Sequence, residues 1–471
     1  MSRYSLTCEA GDVRILACLR GGRRMKEIDP GIFKAYDIRG IYPEEIDEEV
    51  SYLIGRAFVA FLEAERIVVG RDMRLSSPSL SRSFIEGACF QGADVVDIGL
   101  CSTDMLYFAS GKLDIPGAMF TASHNPKEYN GLKLCRRLAG PISEDTGLRD
   151  MRDMVLGRRF PDPARRGKVE EKDLLDDYIE HVLSFVDVKV FRPLKVVADA
   201  GNGMAGLILP ALFDRLPCRL IPHCFELDGS FPHHQPSPIE PENIRLLQEW
   251  VLEAEADMGM AFDGDADRVF LVDDRGEPVS GSLTTAMVAK RILETHPGEK
   301  IIYNCINSWV VPETIEAMGG VAIRERVGHS FIKQTMAETG AIFAGEHSGH
   351  YYFRDNFRAD SGLIAAVIIL ELVSLENRPL SEILKPFKKY FASGEINSRV
   401  DDIPAKLEEI AARYSDGRID RLDGITVEYD DWWFNVRPSN TEPLLRLNLE
   451  AKTRQLMEAK RDEVLALIRS S

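Results

Sequence analysis

Arg66-Ile67-Val68-Val69-Gly70, continuing through Arg71-Asp72-Met73-Arg74 to Ser76-Ser77-Pro78, decides the fold class. The β-branched run ends in a turn, and Ser-Ser-Pro is a helix-start signal. Leu80, Phe84, Ile85 and Ala88 then recur at helical spacing, Gly92 stops the helix, and Asp94 to Gly99 reads as a second strand. Strand, helix, strand is a βαβ unit with a parallel pair. Outward from it the same grammar returns at Leu194 to Asp199, where Gly201-Asn202-Gly203 turns into an apolar helix from Met204. It returns again at Lys300 to Tyr303, where a helix from Ser330 to Glu338 leads into strand Ala341 to Ala344. The C-terminal part differs. Strands at Ile425 to Tyr429, Trp432 to Val436 and Leu444 to Leu449 lie too close for crossover helices, so their sheet is antiparallel. A last helix carries Met457, Val464, Leu465 and Ile468 on one face.

The expected class is therefore α/β: three similar α/β domains with mixed or parallel sheets, then a smaller α+β domain. The boundaries fall at 25–168, 169–276, 277–388 and 389–471, with residues 1–24 an Arg-rich tail outside the fold. At roughly 150 residues per domain, the 471-residue length by itself suggests about three domains, but four fit the pattern better. No residue-level repeat links the three α/β units.

Acidic residues outnumber basic ones by 75 to 58, a net charge of −17, which opposes a nucleic-acid footprint but not a local anion pocket. Apolar runs stop short of the ~18 residues of a membrane span; the longest, Leu363 to Leu370, meets Glu371. Eight scattered cysteines form no disulfide framework, as expected of a soluble cytoplasmic chain.

Four loops carry candidate chemistry. Thr121-Ala122-Ser123-His124-Asn125-Pro126 offers a serine nucleophile or a simple turn, with Lys133 a possible cation ten residues on; it is not a Gly-x-Ser-x-Gly elbow. Asp263-Gly264-Asp265-Ala266-Asp267-Arg268 places carboxylates at i, i+2 and i+4, suited to a hard cation such as Mg²⁺ or to a solvated acidic turn. It fails as an EF-hand, because Arg268 stands where Gly is required and Asp274 where Glu is. Arg268 beside three aspartates points to a bound phosphate. Gly345-Glu346-His347-Ser348-Gly349-His350 lacks the ligands to complete a zinc site; Glu346 and Ser348 form a hydroxyl-reading pair or a strand-end turn. Arg437-Pro438-Ser439-Asn440-Thr441-Glu442-Pro443 reads as a phosphate cradle or a polar hairpin.

Taken in this order, the four motifs resemble those of the α-D-phosphohexomutase superfamily, and more narrowly its phosphomannomutase/phosphoglucomutase group. The resemblance runs from Phe33 onward and begins with Phe33-Lys34-Ala35-Tyr36-Asp37-Ile38-Arg39-Gly40. It implies four domains around a central cleft, and an enzyme interconverting hexose 1- and 6-phosphates of mannose or glucose. It further implies a phosphoserine and a hexose 1,6-bisphosphate intermediate or activator. Ser123 takes the phosphoserine role, flanked by His124. Ser123, Asp263, Asp265 and Asp267 hold one Mg²⁺. Arg39 and Lys133 stabilise the transferring group, and His329, in Val327-Gly328-His329-Ser330, is the candidate acid or base. Glu346 and Ser348 hold sugar hydroxyls; Arg268, Arg437, Ser439, Asn440 and Thr441 hold phosphate. The implied partners are small sugar phosphates, with no nucleic acid, membrane or obligate protein partner.

Phosphoglucosamine mutases typically have Gly where this chain has Asn440, which favours the mannose/glucose group. One departure bears on substrate breadth: bifunctional members tend to carry a Lys within the segment here read as Tyr303-Asn304-Cys305-Ile306-Asn307-Ser308. A non-catalytic sugar-phosphate binder on the same fold is the alternative of another class; the serine and three aspartates argue against it.

Overall fold

A computed structural model describes residues 27–439 and 444–470; the expected tail at 1–24, Asn440 and Thr441 lie outside the described residues. The first sheet runs Ile38–Ile41, Tyr129–Cys135, Gly117–Phe120, Arg66–Arg71, Asp94–Leu100, Val169–Glu171. Its βαβ unit is parallel as expected, with Ile67 opposite Val95. The intervening helix Ser77–Phe90 buries Leu80, Phe84 and Ala88 completely. It lies against helix Glu48–Leu62 so closely that a Cβ on Gly55 would stand 2.2 Å from the Phe84 carbonyl oxygen. Burying a side chain such as Phe84 contributes roughly 1.5–3 kcal/mol.

The second sheet runs Pro278–Val279, Val269–Asp273, Met258–Phe262, Lys195–Asp199, Arg219–His223. The third runs Val321–Glu325, Lys300–Asn304, Phe343–Gly345, Tyr351–Phe353. The fourth is antiparallel throughout: Arg418–Asp420, Ile425–Glu428, Trp432–Pro438 and Leu444–Ala451 are adjacent, and Leu444–Ala451 also pairs with Phe391–Ala392 and Ile396–Arg399. Helix Arg454–Arg469 buries Met457, Val464 and Ile468, whereas Leu465 is only half-buried.

Two sheet edges cross the expected boundaries. Val169–Glu171 pairs in parallel with Asp94–Leu100 of the first sheet, past residue 168. Pro278–Val279 pairs with Val269–Asp273 of the second, past residue 276. Both are two- or three-residue edge strands, and none of Val169, Glu170 and Glu171 is buried, so neither carries a readable alternation.

The longest apolar run becomes helix Gly362–Glu376, buried without a break from Gly362 to Ser374. A helix buried on every side needs no polar face. Glu371 is tolerated there because it accepts from Arg291 Nε at 2.8 Å and from the Asp187 amide at 2.8 Å. Among the described residues no helix is long and apolar enough to cross a membrane.

Each α/β sheet repeats one device. A buried central strand runs into an antiparallel neighbour, and the connecting loop is one of the motifs: Gly117–Phe120 into Tyr129–Cys135, Met258–Phe262 into Val269–Asp273, Phe343–Gly345 into Tyr351–Phe353.

Candidate active site

The hairpin between Gly117–Phe120 and Tyr129–Cys135 throws out Ser123, buried and in left-handed backbone conformation at φ 49°. Such a φ costs a non-glycine residue about 1–2 kcal/mol, so surrounding contacts must hold it. The Ser123 amide donates to Thr121 Oγ1 at 2.8 Å. Its Oγ donates to Asp263 Oδ2 at 2.7 Å and accepts from Arg268 at 3.0 Å. His124 Nδ1 lies 3.2 Å from the same oxygen and accepts from Arg268. The Arg268 charge, then burial, pushes the His124 imidazole well below its usual range, so it is neutral near pH 7.

Asp263, Asp265 and Asp267 are all buried, and carboxylate oxygens from the three lie within 4.8 Å of one another. Lys133 reaches Asp265 Oδ2 at 2.7 Å and also pairs with Asp267. Burial works against the Lys133 ammonium, but these two carboxylates outweigh it and keep it charged. Burial raises Asp263, to about 8, with Arg268 opposing and the like charges of Asp265 and Asp267 adding to the rise. Asp265 goes the other way: Lys133 overcomes burial and holds it ionised. Asp265 Oδ1 and Asp267 Oδ1 are buried without a hydrogen-bond partner. Orphaned carboxylate oxygens converging with no nitrogen or sulfur among them suit a hard divalent cation. The flanking strands also remove any EF-hand geometry.

Arg39, on the edge strand Ile38–Ile41, donates to Asn125 Oδ1 at 2.6 Å and to the Ala122 carbonyl at 3.3 Å, so it grips the serine loop. Both face a cleft of about 660 Å³ that His329, Tyr36, His350 and Asp360 also line. His329 opens helix His329–Thr339 with its ring edge-on to Tyr36, centroids 4.9 Å apart. Burial, then the Lys333 charge, pushes its pKa down, leaving a neutral imidazole.

Glu346 is buried and accepts from the Tyr352 hydroxyl at 2.6 Å and from Asn304 Nδ2 at 3.2 Å. Ser348 Oγ lies 3.2 Å from His350 Nδ1. This loop meets the aspartate loop through a backbone bridge between Arg268 and His350, and His350 Nε2 is 3.8 Å from Asp267. Among the described residues, no group of side chains placed to hold a metal ion contains both His347 and His350.

Arg437 and Ser439 stand apart from the serine–aspartate cluster. Arg437 donates to Glu395 Oε2 at 2.8 Å, while Arg446 donates to Glu395 Oε1 at 3.1 Å and to Ser439 Oγ at 3.3 Å. Several site residues escaped the sequence reading. Lys333 sits four residues after His329, a same-face helical spacing that could have flagged it. Tyr36 and His350 lie inside quoted motifs. Asp360, which pairs with Lys333 at 3.0 Å, and Thr103, which donates to Asp265, gave no signal.

Fold and site together define a four-domain phosphotransfer enzyme. Phosphoglucomutase/phosphomannomutase family models match in succession: α/β/α domain I over 30–151, domain II over 176–276, domain III over 280–390, and the C-terminal domain over 395–467. A phosphomannomutase of Escherichia coli is 42% identical over 450 residues, covering 93% of this chain and 99% of that one. A phosphohexose mutase of Xanthomonas campestris pv. campestris is 42% identical over 446 residues, 93% of this chain and 99% of its own. The structure of a phosphoglucomutase/phosphomannomutase family protein from Burkholderia thailandensis superposes with TM-score 0.87 at 32% identity, covering 94% and 98% of the two chains. The chain belongs to the phosphoglucomutase/phosphomannomutase family. It is a hexose-phosphate mutase.

Proposed function

We propose that this enzyme interconverts the 1- and 6-phosphates of mannose and of glucose, with Ser123 carrying the phosphoryl group between half-reactions. The hydrogen bond from Ser123 Oγ to Asp263, at the edge of the aspartate trio, is the observation that carries the reading. Asp263, Asp265 and Asp267 would hold one Mg²⁺, which would neutralise charge on the transferring phosphoryl.

In the first half-reaction a free sugar hydroxyl attacks phosphorus. The P–Oγ bond of Ser123 breaks as the new P–O bond forms, and the hydroxyl proton passes to neutral His329. Arg268 meets the charge left on Oγ, while Arg39 and Lys133 balance the phosphoryl oxygens. The hexose 1,6-bisphosphate reorients, its other phosphoryl returns to Oγ, and His329 returns the proton to the freed sugar oxygen. Glu346 and Ser348 read hydroxyls shared by mannose and glucose. Arg437, Ser439, Asn440 and Thr441 hold the phosphate that is not reacting. The domain limits expected from sequence, moved three residues at the first two joints, frame these four loops.

Only the second carbon distinguishes mannose from glucose, and none of the residues assigned to sugar hydroxyls is assigned to it; a site that bonds no hydroxyl there discriminates by only ~1–3 kcal/mol. Coupled assays on mannose, glucose and glucosamine 1-phosphates test this. The first two are expected to turn over with comparable kcat/KM; glucosamine 1-phosphate is expected to turn over poorly, because Asn440 stands where phosphoglucosamine mutases typically have Gly. A glucosamine 1-phosphate value above both would overturn the assignment.

A further inference from the structure

Arg74 is among the largest side chains in the molecule with under 2% exposure, yet it belongs to none of the four motif loops. Its guanidinium donates to four backbone carbonyls of a single loop. Nη1 reaches the Pro126 oxygen at 2.8 Å and the Tyr129 oxygen at 2.9 Å. Nη2 reaches the Ser123 oxygen at 2.8 Å and the Asn125 oxygen at 2.6 Å. Asp72 fixes the arginine from behind: its Oδ2 lies 3.3 Å from Nε, and its Oδ1 accepts the Arg74 amide and Ser77 Oγ. From the second domain Phe231 closes the other side, with the guanidinium carbon 5.0 Å from its ring centroid. Gly229 backs onto the same residue so tightly that a Cβ there would stand 2.6 Å from Arg74 Cα.

We infer that Arg74 is the positioning residue of the Ser123 loop: by saturating four carbonyls it holds Ser123 at its left-handed φ, with Oγ aimed at Asp263 and Arg268. A planar fork can bind several carbonyls in one geometry, and an ammonium cannot. The interdomain packing adds a second consequence, because Phe231 couples the serine loop of domain 1 to the domain that carries the aspartate loop.

The inference rests on the phosphoserine reading, so wild-type enzyme is assayed alongside. Arg74→Lys keeps the charge and loses the fork. Circular dichroism and melting report folding, intact mass reports phosphate on Ser123, and kcat is expressed per phosphorylated enzyme. The expected result is a folded protein with kcat at least 30-fold lower and KM within about threefold of wild type. A purely structural role would lower the melting temperature and the folded fraction without changing kcat per phosphoenzyme, and that outcome overturns the inference. Should Arg74→Lys not fold, Phe231→Leu removes one wall of the clamp; a several-fold fall in kcat supports the inference and an unchanged kcat overturns it. Absence of phosphate on wild-type Ser123 after incubation with hexose 1,6-bisphosphate would instead sink the parent reading.

Discussion

At the residue scale, Ser123 and the aspartates show how burial makes chemistry out of ordinary carboxylates. Three buried acids with two oxygens lacking partners form a stable arrangement only if cations meet them. Lys133 and Arg268 supply two positive charges, and the orphaned oxygens ask for more. Chelation should therefore abolish turnover and Mg²⁺ should restore it, whereas zinc restoring activity better than Mg²⁺ would contradict the all-oxygen site. Asp265→Asn should cost ~10²–10³-fold in kcat while leaving the protein folded, since Asp267 still pairs with Lys133. Glu346 makes a second case. Asn304 and Tyr352 make one bond to each of its oxygens, which fixes the carboxylate and leaves acceptor capacity for the sugar hydroxyl that the proposed function assigns to it. Glu346→Gln should lower kcat/KM by ~10–100-fold, the equivalent of a lost charge-assisted hydrogen bond of ~1.5–3 kcal/mol. An effect under threefold on both sugars would remove Glu346 from substrate recognition.

At the scale of the element, the strands and helices that bury a regular face were legible. Helix Ser77–Phe90 followed from Leu80, Phe84 and Ala88, and the antiparallel last sheet followed from its short connections. Edge strands Val169–Glu171 and Pro278–Val279 were not legible, because three and two residues are too few to show an alternation. Side-chain pairs brought together across elements were invisible too, and one of them sets a pH dependence. His234 Nε2 lies 2.9 Å from Asp199 Oδ2, at the end of strand Lys195–Asp199. Burial disfavours charging His234, but Asp199 outweighs it and raises the pKa from about 6.5 to about 10. A histidine whose folded pKa is raised contributes stability that is complete below about pH 6.5 and fades as pH climbs through about 10. Asp199→Asn keeps the bond to the Gly201 amide but loses this attraction. Its melting temperature should fall well below wild type at pH 6, with the gap narrowing at pH 10.5; an equal gap at both would refute the pairing.

At the scale of the molecule, one hairpin device recurs in three α/β sheets, and it explains why the motifs came in order along the chain yet meet in space. Sequence showed the three strand–helix units but not this correspondence, because the shared feature is a topological position rather than a residue pattern. The last domain is joined to the third by polar contacts: Arg324 to Asp420 at 2.7 Å, the Val327 amide to Asp423 at 3.1 Å, and Trp309 Nε1 to Glu428 at 2.6 Å. Such contacts can break and reform while a bisphosphate turns over. A part-exposed pair like Arg324–Asp420 is worth ~0.2–1 kcal/mol, so Arg324→Ala should raise KM by up to about fivefold and leave kcat nearly intact; a collapse of kcat would mean a catalytic role for Arg324. The central claim is that one serine relays the phosphoryl group. Incubation with hexose 1-phosphate labelled in its phosphate, followed by intact mass and peptide mapping, tests it most directly. The account predicts label on Ser123 of the wild type, and in Ser123→Ala both loss of that label and a fall in activity of ~10³-fold or more. Full activity in Ser123→Ala, or label on any other residue, would contradict it.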